Sequence, residues 1–271
     1  MKKKIFAVSD IHGDYDAFIS SLEEAGYDEN NPEHLLISLG DAFDRGDRSL
    51  EVYQYLKRLS DENKAIVLKG NHTMMLIDYL DGTSLDPFNY YRNGEKETLA
   101  DFLHQTDPFE SWCMIYQNIE NPTYGDFARW IKEARDEIND EFPELLDWLR
   151  TRPYYYETKN YIFTHGAIDT NAPDWHKPHC IRYHFVDWDA LMWDDGSFFD
   201  KDINNTDKTV VIGHFGTQTL RKMYDVGKED ETWSILTRKD GRVIALDATT
   251  CYSHKVNVLV IESEELLNDV A

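Results

Sequence analysis

Five short segments each carry side chains suited to holding a metal: Asp10-Ile11-His12, Gly40-Asp41-Ala42-Phe43-Asp44-Arg45-Gly46, Gly70-Asn71-His72, His165-Gly166 and Gly213-His214. A lone Asp or His in a turn is more often a cap or a satisfied turn residue than a ligand. Here all five follow apolar runs, and the combination of carboxylate and amide oxygen with imidazole nitrogen suits Mn, Fe or Zn better than Ca or a thiolate site. Two such ions can share one carboxylate, and paired ions align attacking and leaving oxygens for in-line displacement at phosphorus. The neighbouring glycines let the backbone turn sharply and approach a phosphate closely.

The elements that must position these residues are legible as apolar runs. Ile5 to Val8, Leu35 to Leu39, Ala65 to Leu68, Tyr161 to Thr164 and Val210 to Ile212 are brief and rich in β-branched or aromatic residues, as buried strands are. Amphipathic stretches from Tyr15 to Ala25 and from Leu50 to Leu59 separate the first three, giving strand, helix, strand. The ligand segments are thus spaced by about 30 residues, the length of one βαβ unit. That pattern predicts a parallel sheet with right-handed crossovers and ligands gathered at one edge. From about residue 84 to 152 the sequence turns aromatic and charge-rich, with Phe127, Trp130, Ile131, Ala134 and Ile138 at helical spacing. It reads as a helical insertion capping one side of the site, or as a helical layer packed on the sheet. Trp233 to Leu236, Val243 to Leu246 and Val256 to Ile261 have no helices between them and are expected to be antiparallel strands of a second sheet. One α/β domain spanning 1–271 is the expectation for a chain of 271 residues.

Composition narrows the partners. A formal net charge of −23 repels phosphate backbones and anionic membrane surfaces, so nucleic acid polymers and membranes are not expected partners. Cys113, Cys180 and Cys251 are odd in number and scattered, which suits a reducing cytoplasm rather than a disulfide framework. The apolar run after Lys2-Lys3-Lys4 is too short for a signal peptide, and no stretch reaches the ~18 apolar residues of a membrane span. The run from His176 to His184 holds three histidines and Cys180, but its spacing fits no familiar zinc finger, and it reads as a loop at the rim of the site. His34, His104 and His254 default to structural or surface roles.

The five segments together resemble the signature of the calcineurin-like metallophosphoesterases, and Gly40 to Gly46, with Asp44 and Arg45, is similar to the serine/threonine phosphatase branch of bacterial and phage enzymes. The likeness extends to Asn93-Gly94, to Phe142-Pro143 through Tyr155, and to Leu246-Asp247. It implies a sandwich of two mixed β-sheets flanked by helices. It further implies that Asp10, His12 and Asp41 hold one divalent metal, with Asp41 shared with a second held by Asn71, His165 and His214. Manganese is the expected ion, with iron or zinc as alternatives, and a hydroxide bridging the two metals would be the nucleophile. His72 would protonate the leaving alkoxide, with Asp44 orienting its ring and stabilising its protonated form. Arg45 would clamp the phosphoryl oxygens alongside Asn71 and His72. A second phosphate-binding arginine has no motif; Arg182 is the candidate and Arg92 its rival.

Several positions depart from the family pattern: Ser9 in place of Gly, Thr73 in place of an acidic residue, Ala167 after His165-Gly166, Phe215-Gly216 in place of Thr-Pro, and Ala248 in place of a glycine-rich continuation. Ser9 reads as a change of little consequence, whereas Thr73 should remove or alter a contact near the ligands. The resemblance implies a phosphorylated substrate, a phosphoprotein or a small phosphoester. Hydrolysis of phosphomonoesters, as by a serine/threonine protein phosphatase, is the leading expectation. A diadenosine tetraphosphate-type hydrolase is the alternative, although that group typically has Ala at the position of Asp44. An inactive metal- and phosphate-binding module is a third reading, disfavoured because every ligand-type residue is present. The sequence leaves the oligomeric state open.

Overall fold

The computed structural model describes residues 2–83, 88–111, 113, 120–170, 180–183, 186–189, 191–226 and 232–267, with the backbone alone for 180–183 and 186–189. The chain begins with three strand–helix units: β1 (Lys2–Val8), α1 (Tyr15–Glu24), β2 (His34–Ser38), α2 (Ser49–Asp61), β3 (Ala65–Val67) and α3 (Asn71–Asp81). A π-helical turn over Asn89–Asn93 leads into α4 (Glu95–Phe102), α5 (Pro108–Ser111), α6 (Tyr124–Glu141) and α7 (Leu145–Arg150). The second half comprises β4 (Tyr155–Glu157), β5 (Tyr161–Thr164), the hairpin of β6 (Cys180–Tyr183) and β7 (Val186–Asp189), β8 (Thr209–Ile212), α8 (Thr217–Tyr224), β9 (Leu236–Thr237), β10 (Val243–Ala245), α9 (Thr250–Ser253) and β11 (Leu259–Glu265).

Two mixed sheets result, ordered β11-β1-β2-β3 and β4-β5-β8-β10-β9. Strand side chains alternate between faces, and the alternation explains the layering. Phe6, Val8 and Leu36 join the cluster under the helices, whereas Ile5, Ala7, Leu35 and Ile37 meet Phe163, Val211 and Leu246 between the sheets. On the second sheet Ile162, Val210 and Val243 point the other way, toward Leu220 of α8 and Phe198. Both faces of β1 are therefore buried, which is why it reads as a continuous apolar run. Each large apolar side chain buried in this way contributes roughly 1.5–3 kcal/mol.

Local chemistry starts the helices: Asp14 Oδ1 caps α1 by accepting from Ala17 N at 3.0 Å, and Thr123 and Asp126 form a capping box at the start of α6. The residues at helical spacing in α6, Phe127, Trp130, Ile131, Ala134 and Ile138, are all buried and pack with α2 and α3 in the cluster on the first sheet. Helices α4–α7 thus contribute to a layer on that sheet. Among the described residues of 88–150, Asn93 borders a cavity at the strand ends, while Gly94 and Thr98 contact Arg45 and Asp44.

The first three strands lie parallel in one sheet, as their spacing predicts, and β5 and β8 lie parallel in the other. The structure corrects one expectation: the last strands do not form an antiparallel group. β10 lies parallel to β8, with α8 in the connection, and β11 returns to the first sheet antiparallel to β1; only β9 and β10 pair as expected. An apolar strand pattern fixes which faces are buried but not which neighbour supplies the hydrogen bonds. Among the described residues, no helix is long and apolar enough to cross a membrane.

Candidate functional site

Every ligand segment lies just beyond a strand: Asp10 and His12 after β1, Asp41 after β2, Asn71 at the start of α3, His165 after β5 and His214 after β8. The two sheets bring these ends face to face. Asp10, His12, Asp41, Asp44, Arg45 and His214 all adopt positive φ, between 48° and 75°. Such conformations are unfavourable for non-glycine residues and persist where the surroundings over-determine them. Two glycines show how closely the loops approach. A Cβ on Gly40 would stand 2.7 Å from Gly70 N, and one on Gly213 would collide with Ser9 and the Asp10 carboxylate.

Asp41 is the centre of the arrangement. Its Oδ2 lies 3.1 Å from His165 Nε2 and 4.0 Å from His72 Nε2, while Oδ1 accepts from His72 N at 3.0 Å. Two groups of donor atoms lie within 4.8 Å of one another, His12–Asp41–His72 and Asp41–His165–His214, so Asp41 belongs to both. Asn71 Oδ1 is 3.0 Å from His165 Nε2, and Asp10 Oδ1 is 3.8 Å from His12 Nε2. His12 Nδ1 is 2.9 Å from Phe43 O and His165 Nδ1 is 3.0 Å from Leu39 O. Donation to a carbonyl fixes the tautomer with Nε2 facing the site, as metal-ligating histidines require. This donor set, buried and presenting a shared carboxylate, fits a pair of divalent cations.

The electrostatics of the ligands reflect their crowding. Burial works against ionisation of Asp41, yet His165, His72 and His12 outweigh it and hold its carboxyl well below the usual range. Burial also lowers His165, but Asp41 beside it more than compensates and brings the ring to about 9. His214 is pushed down to about 3 by burial and by His165. Asp10 and Asp247 are both raised, chiefly by burial, with the Asp41 carboxylate opposing ionisation of the first and Asp10 that of the second. A divalent cation among these groups would relieve that opposition.

His72 stands apart from the other histidines because Asp44 Oδ2 lies 2.6 Å from its Nδ1. Arg45 reaches across the opening, with Nη1 2.9 Å from His12 Nε2 and Nη2 3.0 Å from His72 Nε2. Arginine can only donate, so both Nε2 atoms accept in this arrangement. A cavity of about 130 Å³ is lined by His72 and the candidate ligand residues other than His165, together with Arg45, Asn93 and Trp193. A larger groove of about 810 Å³ runs along α1 and residues 254–258 but carries none of the ligand residues. The smaller cavity is therefore the candidate site.

The sequence reading left several contributors unnamed and discounted one. Ser9 is not neutral: its Oγ donates to Asp10 Oδ2, which also accepts from His214 N at 2.9 Å. Thr250 Oγ1 holds Asp10 O at 2.6 Å, and the Trp193 ring meets His214 edge-on at 5.3 Å. Thr98 is buried against Asp44. Thr250, Trp193 and Thr98 have no local signal, because each acts across a long stretch of chain. Thr73 caps its own helix, accepting from Gly70 N at 3.2 Å, so the altered contact serves α3. Arg92 is exposed on the π-helical turn. The backbone of Arg182 lies in β6, but its side chain, like most of the run from His176 to His184, lies outside the described residues.

Comparison with known proteins agrees with this geometry. The family model described as calcineurin-like phosphoesterase matches residues 3–254. The chain is 35% identical over 202 residues to the asymmetrical bis(5'-nucleosyl)-tetraphosphatase PrpE of Bacillus velezensis, a match covering 61% of this chain and 78% of that one. It is 28% identical over 172 residues to the symmetrical bis(5'-nucleosyl)-tetraphosphatase of Pasteurella multocida, covering 63% of this chain but only 45% of that protein's length. Serine/threonine-protein phosphatase 2 of Salmonella typhimurium is 25% identical over 195 residues, covering 70% of this chain and 67% of that one.

Proposed function

The chain belongs to the calcineurin-like phosphoesterase family, and from that premise we propose that it is a metal-dependent phosphohydrolase cleaving phosphomonoesters, with phosphoserine and phosphothreonine in proteins as its substrate class. The observation that carries this reading is the buried Asp44–His72 pair, 2.6 Å apart, with His72 bordering the cavity. An alkoxide is a poor leaving group and needs a proton, and this pair is placed to deliver one.

In this reading Asp10, His12 and Asp41 hold one cation and Asp41, Asn71, His165 and His214 the other, with manganese the expected metal. Bound there, the cations supply positive charge to the phosphoryl oxygens and lower the pKa of water. Arg45 turns its fork from the two histidines onto the phosphoryl group, assisted by Asn71 and His72, with Arg182 the candidate second arginine. His72 then carries a proton on Nε2 to the leaving oxygen while Asp44 accepts from Nδ1. The scattered cysteines favour a cytoplasmic setting.

A second reading, hydrolysis of a dinucleoside polyphosphate, is favoured by the names of two of the relatives. Its leaving group is a phosphate, which departs without the proton that the Asp44–His72 pair is placed to give. Initial rates with manganese on a phosphoserine peptide and on diadenosine tetraphosphate separate the two. The peptide is expected to turn over faster; faster cleavage of the dinucleotide reverses the order.

A further inference from the structure

Thr98 lies in α4, fully buried, and touches the candidate acid pair from behind. Its Oγ1 accepts from Asp44 N at 2.8 Å, stands 2.7 Å from Asp44 Oδ1, and is 3.2 Å from Ser49 Oγ. A hydroxyl offers one proton and two lone pairs. The Asp44 N–H occupies one lone pair, and the carboxylate oxygen accepts, so the Thr98 proton goes to Oδ1. Ser49 then donates into the remaining lone pair. With all three capacities used, the Thr98 hydroxyl has a single orientation.

This hydroxyl grips one residue twice, by backbone and by side chain. Asp44 sits at φ +71°, where a non-glycine residue is disfavoured and must be held by its surroundings. Its Oδ2 faces His72 Nδ1 while Thr98 engages Oδ1. The plane of the carboxylate is therefore fixed from both sides. The same turn steadies Arg45, whose N donates to Gly94 O at 3.0 Å, and a Cβ on Gly94 would stand 2.7 Å from Arg45 Cα.

We propose that Thr98 is a positioning residue for proton delivery: the relay Ser49–Thr98–Asp44–His72 sets the ring orientation of His72, so that a helix of the outer layer determines how the leaving oxygen is protonated. This rests on the acid role given above to His72 and Asp44. A residue that only satisfied buried polar groups would affect all substrates alike, whereas a positioning residue acts most where protonation matters most.

The test compares para-nitrophenyl phosphate with phenyl phosphate, whose leaving oxygen is the more basic, using the manganese-loaded protein. Thr98→Val keeps the shape and removes the hydroxyl; Thr98→Ser keeps the hydroxyl. Thr98→Val is expected to lower kcat on phenyl phosphate by about tenfold, the scale of one lost hydrogen bond to a charged group. The loss on para-nitrophenyl phosphate should be smaller, KM and metal content should hold, and Thr98→Ser should restore kcat. Added to Asp44→Asn, Thr98→Val should cost less than about twofold, because residues of one network are not additive. Thr98→Ala serves in its place if the valine variant does not fold. Equal losses on both substrates, no loss, or a full additive loss in the Asp44→Asn background would overturn the proposal. If His72→Asn shows the leaving-group dependence and Thr98→Val does not, the role of Thr98 alone falls. If His72→Asn shows no such dependence, the acid reading falls with it.

Discussion

Replacing Asp44 with asparagine changes one oxygen into an NH2 group and leaves the shape intact. In the native arrangement both carboxylate oxygens accept, Oδ1 from Thr98 at 2.7 Å and Oδ2 from His72 at 2.6 Å. Asparagine has one acceptor to offer. If its oxygen stays with Thr98, its NH2 faces His72 Nδ1 and drives the imidazole proton to the other nitrogen. If its oxygen faces His72, the NH2 confronts a Thr98 oxygen already accepting from Asp44 N and Ser49. Either way one hydrogen bond to a charged group is lost in a buried site, a cost of about 1.5–3 kcal/mol. At 1.36 kcal/mol per tenfold, kcat should fall by roughly 10- to 150-fold. None of the proposed cation ligands is touched, so metal content and KM should stay near native. Steady-state kinetics on phenyl phosphate, with metal stoichiometry measured on the same preparation, would detect this. Native kcat in Asp44→Asn, or loss of metal with activity, would refute the reasoning, and His72→Asn sets the floor against which the loss is read.

Asp41→Asn should lose most bound metal and most activity, since its carboxylate lies in both donor groups; elemental analysis showing a full complement would contradict the shared role. Arg45→Ala should weaken inhibition by inorganic phosphate by roughly tenfold or more, the scale of a charged hydrogen-bonding group, and an unchanged inhibition constant would remove Arg45 from the phosphoryl group. Phe163→Ala should destabilise the protein by about 3–5 kcal/mol in urea denaturation, because this fully buried ring fills the space between the sheets; a loss below about 1 kcal/mol would mean that the layers do not depend on it.

The division between what sequence and structure supplied follows the range of the interactions. The ligand segments were legible because each is a local device: an apolar strand ending in a turn, with Asp10, Asp41, Asn71, His165 or His214 at the turn. The helix face of Phe127, Trp130 and Ile138 was legible for the same reason, since its periodicity is written within one element. The pairing of the last strands was not. The apolar start of a strand such as Leu259–Glu265 carries the same signal whether it pairs with β1 or with β10, and hydrogen bonding to β1 closes a loop of more than two hundred residues. The contacts that hold Asp44 and Asp10 in place, from Thr98, Thr250 and Ser9, were equally hidden or discounted. Threonine and serine are ordinary in sequence, and they acquire meaning only when folding presses a hydroxyl against a buried carboxylate or carbonyl that has few other partners. The sequence determined which side chains gather at the strand ends; the packing of two sheets and a helical layer decided which of them touch, and at what angle.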